Sequence, residues 1–132
     1  MNSFEIEIPA RFSSAHLYHQ KAWSEERNRR EFGRCFTEHG HGHNYELLVR
    51  FEVPANPDPE LIARLRRVVS QETQKLDHEH LNFVVPEFRD LIPTTENIAL
   101  YLRDKITAHP LPAPWRGLRL HEMPDLWVEV TA

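Results

Sequence analysis

Apolar and polar residues alternate at the start of the chain. The segment from Phe4 to Ile8 places a phenylalanine and two isoleucines against two glutamates, which is the period of a strand with one buried face. The same parity continues after Pro9 through Phe12 to His16, provided that the proline does not introduce a bulge. We therefore predict a first strand that ends at a histidine.

A longer alternation runs from His39 to Val53. Its odd positions read His, His, His, Tyr, Leu, Val, Phe and Val, whereas its even positions are mostly glycine or polar residues. Because side chains on a strand alternate between the two faces, the three histidines are predicted to point to the same side as the core residues that follow them. The pattern predicts a core strand whose buried face begins with imidazoles.

Two amphipathic helices are predicted after this strand. Asp58 is a candidate N-cap with Pro59 at the first helical position, and an apolar stripe follows as far as Leu76. A second helix is predicted to begin near "PTTEN" and to end by "HPLPAP", whose prolines cannot continue it. Earlier in the chain, the polar stretch from about Ser24 to Phe32 is predicted to be a short helix or an ordered excursion.

The end of the chain has the pattern of a hairpin, with "LRLHE", a turn at "MPD" and then "LWVEV". The order of two strands, two helices and two strands predicts an α+β fold, an antiparallel four-stranded sheet with two helices on one face. A chain of 132 residues has the size of one ordinary domain, so residues 1–132 are expected to form a single one.

Composition narrows the class of protein. The net charge of −4 argues against a nonspecific nucleic-acid surface, which normally needs a basic excess. No segment approaches the roughly 18 uncharged apolar residues of a membrane span. Glu5, Glu7 and Arg11 stand where a signal peptide would need an apolar run, so a cytoplasmic location is expected.

One cluster of positive charge stands out. The stretch "ERNRREFGR" is either a site for an anionic small molecule or a solvated helix face with compensating glutamates. Its cations are Arg27, Arg29, Arg30 and Arg34.

The histidines indicate a metal site. Two imidazoles at i and i+2 on a strand point into the same space, and His16 is the obvious third ligand because it ends the other strand on its apolar parity. Neutral imidazoles favour zinc, and three protein ligands leave a position for a substrate oxygen. The tract "HGHGH" allows either His39 with His41 or His41 with His43 as the pair.

Other residues near these histidines are candidates for acid–base chemistry. Cys35, the single cysteine, is either a small buried hydrophobe or, beside a metal, a thiolate that acts as base or nucleophile. Asp77 precedes His78 and either orients that imidazole for proton transfer or helps to cap the preceding helix. Glu122 has the parity of the core leucines, so it would bind a guanidine-like donor pair, bind an arginine, or lie in solvent at the strand end.

These segments together resemble a known family. "RFSSAH", "FGRC", "HGHNY", "LDHEHLN", "PTTENIALYL" and "LRLHE" are similar to motifs of the 6-pyruvoyltetrahydropterin synthase family, which includes the bacterial 6-carboxytetrahydropterin synthases of the queuosine pathway. They occur in the family's order from His16 to Glu122. The resemblance implies the tunnelling fold, in which subunits join their sheets into a barrel, usually as a homohexamer of two stacked trimers.

The resemblance also implies a set of functional residues. It implies zinc ligands at His16, His41 and His43, a catalytic thiolate at Cys35, a proton-transferring pair at Asp77 and His78 from a neighbouring subunit, and pterin binding by Glu122 with Thr94, Thr95 and Glu96.

The substrate implied by the resemblance is 7,8-dihydroneopterin triphosphate. Zinc would bind and acidify the side-chain hydroxyls, while the thiolate and the histidine move protons between side chain and ring. Loss of triphosphate gives the pyruvoyl product, whereas carbon–carbon cleavage gives the carboxy product. Neither reaction needs a redox cofactor.

The product is left open by the doubled HGH tract. Three residues separate Cys35 from His39 and five separate it from His41, and the family has both spacings. The longer spacing followed by "NY" resembles the pyruvoyl branch. Glu38 stands where a related subgroup, which cleaves the side chain to a hydroxymethyl pterin, has a catalytic glutamate. A noncatalytic member of the fold that binds a pterin or a metal is a further alternative.

Overall fold

A computed structural model describes residues 2–33 and 41–132. Two long strands, a terminal hairpin and two long helices dominate the described chain. The elements are β1 (Ser3–His16), α1 (Glu25–Phe32), β2 (His41–Pro54), α2 (Pro59–Gln74), β3 (Glu79–His80), α3 (Leu81–Val84), a 3-10 helix (Pro86–Arg89), α4 (Thr95–Thr107), β4 (Trp115–Met123) and β5 (Leu126–Thr131).

The strands form one sheet in the order β3-β1-β2-β4-β5. β1 and β2 pair antiparallel over their whole length, from Ser3 opposite Pro54 to His16 opposite His41, with no change of register. Pro9 therefore introduces no bulge, and the predicted parity from the first apolar residues to His16 is confirmed. The hairpin of β4 and β5 is also confirmed.

The sheet has one strand more than the four that the sequence predicts. β3 contains only Glu79 and His80, and it pairs in parallel with Ser14 and Ala15 at the edge of β1. Two residues are too few to show a period, which is why the alternation could not reveal this strand. Its addition brings the "LDHEHLN" segment against the end of β1.

The predicted helix starts agree with the structure. The side chain of Asp58 accepts a hydrogen bond from the backbone N–H of Glu60, and Pro59 opens α2. Thr94 caps α4 in the same way, through the N–H of Asn97. The polar stretch after residue 24 forms the helix α1, so it is a short helix and not an irregular excursion.

The core lies between one face of the sheet and the two long helices. α2 packs on β1, and α4 packs on β4 and β5. Burial of each large aliphatic side chain in such a core contributes about 1.5–3 kcal/mol. None of the helices in residues 2–33 and 41–132 is long and apolar enough to cross a bilayer. Core side chains with no exposed surface include Tyr45, Leu47, Val49, Phe51, Leu65, Val69, Ile98, Leu102, Leu118 and Leu120.

Candidate metal centre and active site

Three polar side chains meet where the apolar face of the sheet ends. His16 is the last residue of β1, His43 is near the start of β2, and Glu122 is near the end of β4. Their possible ligand atoms all lie within 4.8 Å of one another. All three continue the buried parity of their strands, so the alternation that builds the core also delivers the imidazoles and the carboxylate to one place.

His16 is held in a defined orientation. Its side chain has no exposed surface, and the Oη atom of Tyr45 lies 3.0 Å from its Nδ1 atom. The ring of His43 packs edge-on against it, with 5.2 Å between the centroids. The contact with Tyr45 restrains the orientation of the ring, and the other nitrogen, Nε2, lies 3.6 Å from the carboxylate of Glu122.

Glu122 contacts both histidines. Its Oε1 atom lies 3.1 Å from Nε2 of His43 and 3.6 Å from Nε2 of His16, and its Oε2 atom accepts a hydrogen bond of 3.1 Å from the Thr95 hydroxyl. Only 7% of the side chain is exposed. The predicted inward orientation is confirmed, and the partners in the described chain are imidazoles and a hydroxyl rather than an arginine.

A bulge in β4 helps to place this carboxylate. Pairing between β2 and β4 ends at Glu46 opposite His121, and the β4–β5 register shifts between His121 and Met123. Glu122 lies at that shift. Backbone pairing between β2 and β4 therefore stops one residue before Glu122, and the Glu122 side chain lines a cleft at this end of the sheet.

Asp77 and His78 lie beside the same cleft. One oxygen of Asp77 accepts a 2.8 Å hydrogen bond from the backbone N–H of Ser13, and the other lies 3.5 Å from Nε2 of His78. His78 has a left-handed φ of 59° and an 83% exposed side chain. The predicted pairing of the two residues is present, with the carboxylate fixed and the imidazole accessible.

A groove of about 800 Å³ joins these groups. It is lined both by residues on the core-facing parity of the strands, such as Glu122, and by residues on the outer parity, such as Arg11. Its lining residues include His43, Glu122, Asp77 and His78.

Comparison with known proteins agrees with this geometry. The family model of 6-pyruvoyl tetrahydropterin synthase matches residues 5–132. The chain belongs to this family. It is accordingly a lyase. A 6-pyruvoyl tetrahydrobiopterin synthase of Homo sapiens is 36% identical over 99 residues, covering 72% of this chain and 68% of the human one.

Two further similarities cover almost the whole chain. The structure of the Caenorhabditis elegans 6-pyruvoyl tetrahydropterin synthase superposes with a TM-score of 0.89 at 27% identity, covering 100% of this chain and 97% of that one. A dihydroneopterin monophosphate aldolase of Pyrococcus furiosus is 29% identical over 122 residues, covering 92% of this chain and 91% of the relative. The fold predicted for the family is therefore confirmed for the single subunit.

The donor set of this family member fits a metal ion. Two imidazoles and a carboxylate are ligands that zinc accepts, and a buried carboxylate without a permanent counter-charge needs a cation or hydrogen-bond donors. The hydroxyl of Tyr45 supplies the outer contact that metal-ligating histidines usually have. Among the described side chains, His16, His43 and Glu122 are therefore able to hold a metal.

The structure brings some of the other predicted residues to the site and not others. Thr95 contacts Glu122, whereas Thr94 caps α4 through the N–H of Asn97. Glu96 is exposed in the first turn of α4 and is not part of the groove lining. Cys35 and the alternative residues Glu38 and His39 lie outside the described residues. The backbone of His41 pairs with His16, and its side chain likewise lies outside the described part of the chain.

Sequence reasoning missed two residues of this site. Tyr45 looks in the sequence like one more member of the apolar alternation, but its place two residues after His43 puts its hydroxyl on the side of the ligands. Arg11 looks in the sequence like an ordinary charge near the start of the chain, and it lines the groove. Its signal is its place on the polar parity of β1, as the only arginine of that strand.

Proposed function

We propose that the protein is a zinc-dependent lyase that acts on 7,8-dihydroneopterin triphosphate and eliminates triphosphate, as in 6-pyruvoyl tetrahydropterin synthesis. The observation that carries the proposal is the convergence of His16, His43 and Glu122 in a chain of this family, with His43 and Glu122 lining a groove. Metal-ligand chemistry, a buried carboxylate and an accessible acid–base pair meet in that groove.

The zinc ligands in this proposal are His16, His41 and His43. Tyr45 supports the assignment because its hydroxyl at Nδ1 of His16 directs Nε2 toward the ligand position. When bound, the metal would polarise a substrate hydroxyl and lower its pKa.

Glu122 is proposed to bind the pterin ring. A carboxylate accepts two parallel hydrogen bonds from an amino group and a neighbouring ring N–H, and the bidentate geometry fixes the orientation of a planar ligand. Thr95 restrains one oxygen of Glu122 through a bond of 3.1 Å, which supports this positioning role. The proposed contribution of Thr94 and Glu96 to pterin binding is weaker, since one caps a helix and the other is exposed.

Asp77, His78 and Cys35 are proposed to move protons. Elimination breaks the carbon–oxygen bond to the triphosphate, removes a proton from the adjacent carbon and transfers protons between ring and side chain. Asp77 is held by the Ser13 N–H and leaves its second oxygen 3.5 Å from Nε2 of His78, which orients the imidazole toward a substrate in the groove. The thiolate of Cys35 is proposed as the base on the strength of the family motif.

The protein is also proposed to act as a homo-oligomer, a hexamer, with active sites at subunit interfaces. The 83% exposure of His78 supports a shared site, since an acid–base residue normally works in a more enclosed environment. Exposed apolar side chains on the edge strand β5 supply a surface for association, with Leu126 and Trp127 each 43% exposed. Light scattering of the purified protein tests this part, and a monomer would contradict it.

A second candidate is cleavage of a carbon–carbon bond in the pterin side chain, to a 6-carboxy or a 6-hydroxymethyl pterin. It is favoured by the similarity to the Pyrococcus furiosus aldolase over 92% of this chain and by Glu38 before the HGH motif. The same metal, carboxylate and acid–base groups would serve either reaction, so the two candidates differ in product.

Product identification tests both candidates. The zinc-loaded protein is incubated with 7,8-dihydroneopterin triphosphate, and the products are identified by mass spectrometry for wild type, Cys35→Ala and Glu38→Ala. Free triphosphate with a pyruvoyl pterin supports elimination, and a carboxy or hydroxymethyl pterin supports the second candidate. No turnover of the triphosphate or of close pterin analogues, with retained pterin or zinc binding, would leave a noncatalytic member of the fold.

A further inference from the structure

Arg11 stands at the outer part of the groove. Of the described residues that line it, Arg11 is the only one with a permanent positive charge, and three carboxylates line the same groove. The side chain of Arg11 is 82% exposed and contacts Glu46 at 3.1 Å on the neighbouring strand. An exposed pair of this kind contributes between zero and about 1 kcal/mol to stability, so the guanidinium is available to a stronger anion.

The arginines of α1 are differently engaged. The guanidinium of Arg27 lies 4.0 Å from the centroid of the Trp23 ring, and Arg29 pairs with Glu25 at 2.8 Å within the same helix. Neither they nor Arg30 is part of the groove lining. The basic cluster that the sequence singled out is therefore, in its described part, the solvated helix face.

A second donor lies between Arg11 and the metal centre. Ser13 is opposite Asn44 and Arg11 is opposite Glu46 in the β1–β2 register, so these four side chains form a row on the outer face. The Ser13 hydroxyl donates to Oδ1 of Asn44, which leaves the Nδ2 amide of Asn44 as a donor in the groove. Ser14, opposite His43, is three residues from Arg11, a span of about 10 Å along a strand.

We infer that Arg11, assisted by the amide of Asn44, binds the polyphosphate chain of the substrate. The inference rests on the proposed function and adds a phosphate subsite to it. With the pterin ring at Glu122 and the side chain at the metal, the phosphates extend along this row toward the guanidinium. Asp77 and Glu122 repel phosphate elsewhere in the groove, and Arg11, once it leaves its exposed pair with Glu46, offers the phosphates planar, bidentate donors.

The test compares binding with and without phosphates. Calorimetry on the zinc-loaded protein measures the dissociation constants for dihydroneopterin, which lacks the phosphates, and for inorganic tripolyphosphate. Steady-state kinetics give the Michaelis constant for the pterin triphosphate. The variants are Arg11→Ala, Glu46→Gln and the control Arg116→Ala. Arg116 also pairs with a glutamate of β2, Glu52, at 2.6 Å, but lies outside the groove lining.

Arg11→Ala and Glu46→Gln are expected to change phosphate binding in opposite directions. Arg11→Ala raises the Michaelis constant for the pterin triphosphate and the dissociation constant for tripolyphosphate about tenfold, and it leaves the dissociation constant for dihydroneopterin unchanged. Glu46→Gln lowers the Michaelis constant for the pterin triphosphate and the dissociation constant for tripolyphosphate, because it removes the competing carboxylate. Arg116→Ala changes none of the three constants.

Two outcomes would overturn the inference. If Arg11 were only a salt-bridge partner, Arg11→Ala and Glu46→Gln would act in the same direction or have no effect. Equal weakening of the ligands with and without phosphates would show a general disturbance of the groove. Failure of the proposed function is distinguishable, because the wild type would then release no triphosphate from the pterin triphosphate, whereas the comparison with tripolyphosphate still reports on Arg11.

Discussion

Two glutamates of the described chain are buried beside histidine, in two different settings. Glu72 of α2 is 3% exposed, and its Oε2 atom lies 2.7 Å from Nε2 of His109 and 3.2 Å from Nζ of Lys75. Glu122 of β4 is 7% exposed and faces His16 and His43. Burial and the presence of an imidazole are therefore shared by both sites.

The sites differ in what offsets the negative charge. Lys75 supplies a permanent positive charge to Glu72, and neither residue belongs to the groove lining. Glu122 has two imidazoles and the Thr95 hydroxyl instead, at the floor of a groove. Buried carboxylates without a permanent counter-charge are costly, so the second arrangement indicates a site completed by a cation or by a ligand's donors. The comparison separates a structural ion pair from a binding site.

Glu122→Gln should have the largest effect. The substitution removes the charge that grips the pterin donors, so kcat/KM for the triphosphate is expected to fall about 100-fold, equivalent to about 3 kcal/mol. Zinc content, measured by elemental analysis, should stay stoichiometric because the proposed ligands are the three histidines.

Glu72→Gln is the matched control for this variant. It neutralises the other buried glutamate and should leave kcat/KM close to wild type. Loss of zinc from Glu122→Gln would instead make Glu122 a metal ligand, and unchanged activity would remove it from pterin binding.

Tyr45→Phe should have a smaller effect, on the metal. The hydroxyl at Nδ1 of His16 orients the ligand nitrogen, and loss of such an outer contact typically lowers metal affinity about 10- to 100-fold. Competition with a chromophoric chelator measures the zinc affinity. Tyr101→Phe, which removes a hydroxyl from α4, serves as the control. Equal zinc affinity of Tyr45→Phe and wild type would contradict an orienting role.

The sequence predicted those features of the site that follow from the alternation of side chains along a strand. The parity of β1, β2 and β4 was sufficient to place His16, His43 and Glu122 on the core side, since a strand side chain has only two directions. Parity also suggested that His16 joins the histidines of β2, but the approach of Glu122 to them could not be predicted from parity, because it depends on the order of the strands.

Two other elements depended on contacts that local pattern does not contain. β3 is defined by its pairing with Ser14 and Ala15, more than sixty residues away in sequence, so its two residues carried no signal of their own. The Glu72–His109 pair joins α2 to the chain after α4 and likewise has no period. Roles implied by family resemblance, such as that of Cys35, remain predictions.

His109→Ala should reduce stability rather than activity. Removing the imidazole takes a hydrogen-bond partner from the buried Glu72 carboxylate and leaves Lys75, so the free energy of unfolding is expected to fall by about 1–2 kcal/mol. Urea unfolding of His109→Ala, Glu72→Gln and the double variant gives the coupling between the two groups. Strictly additive losses, or a loss of turnover in the folded variant, would contradict the assignment of this pair as structural.

The smallest expected effect is a pH dependence at Tyr101, which lies near the Glu72 site. Burial, and then the negative charges of Glu87 and Glu72, raise the pKa of the Tyr101 phenol above its usual value. The folded state thus holds this proton more tightly than the unfolded state does. The resulting stabilisation is fully present below the unfolded pKa of about 10 and is lost as the pH rises through the folded pKa.

Wild type should therefore lose stability relative to Tyr101→Phe across this alkaline range, as measured by urea midpoints. Glu72→Gln should narrow the difference, because it removes one of the charges that disfavour the phenolate, whereas Glu122→Gln should not. An equal effect of the two glutamine variants would break the distinction between the two glutamates on which the comparison rests.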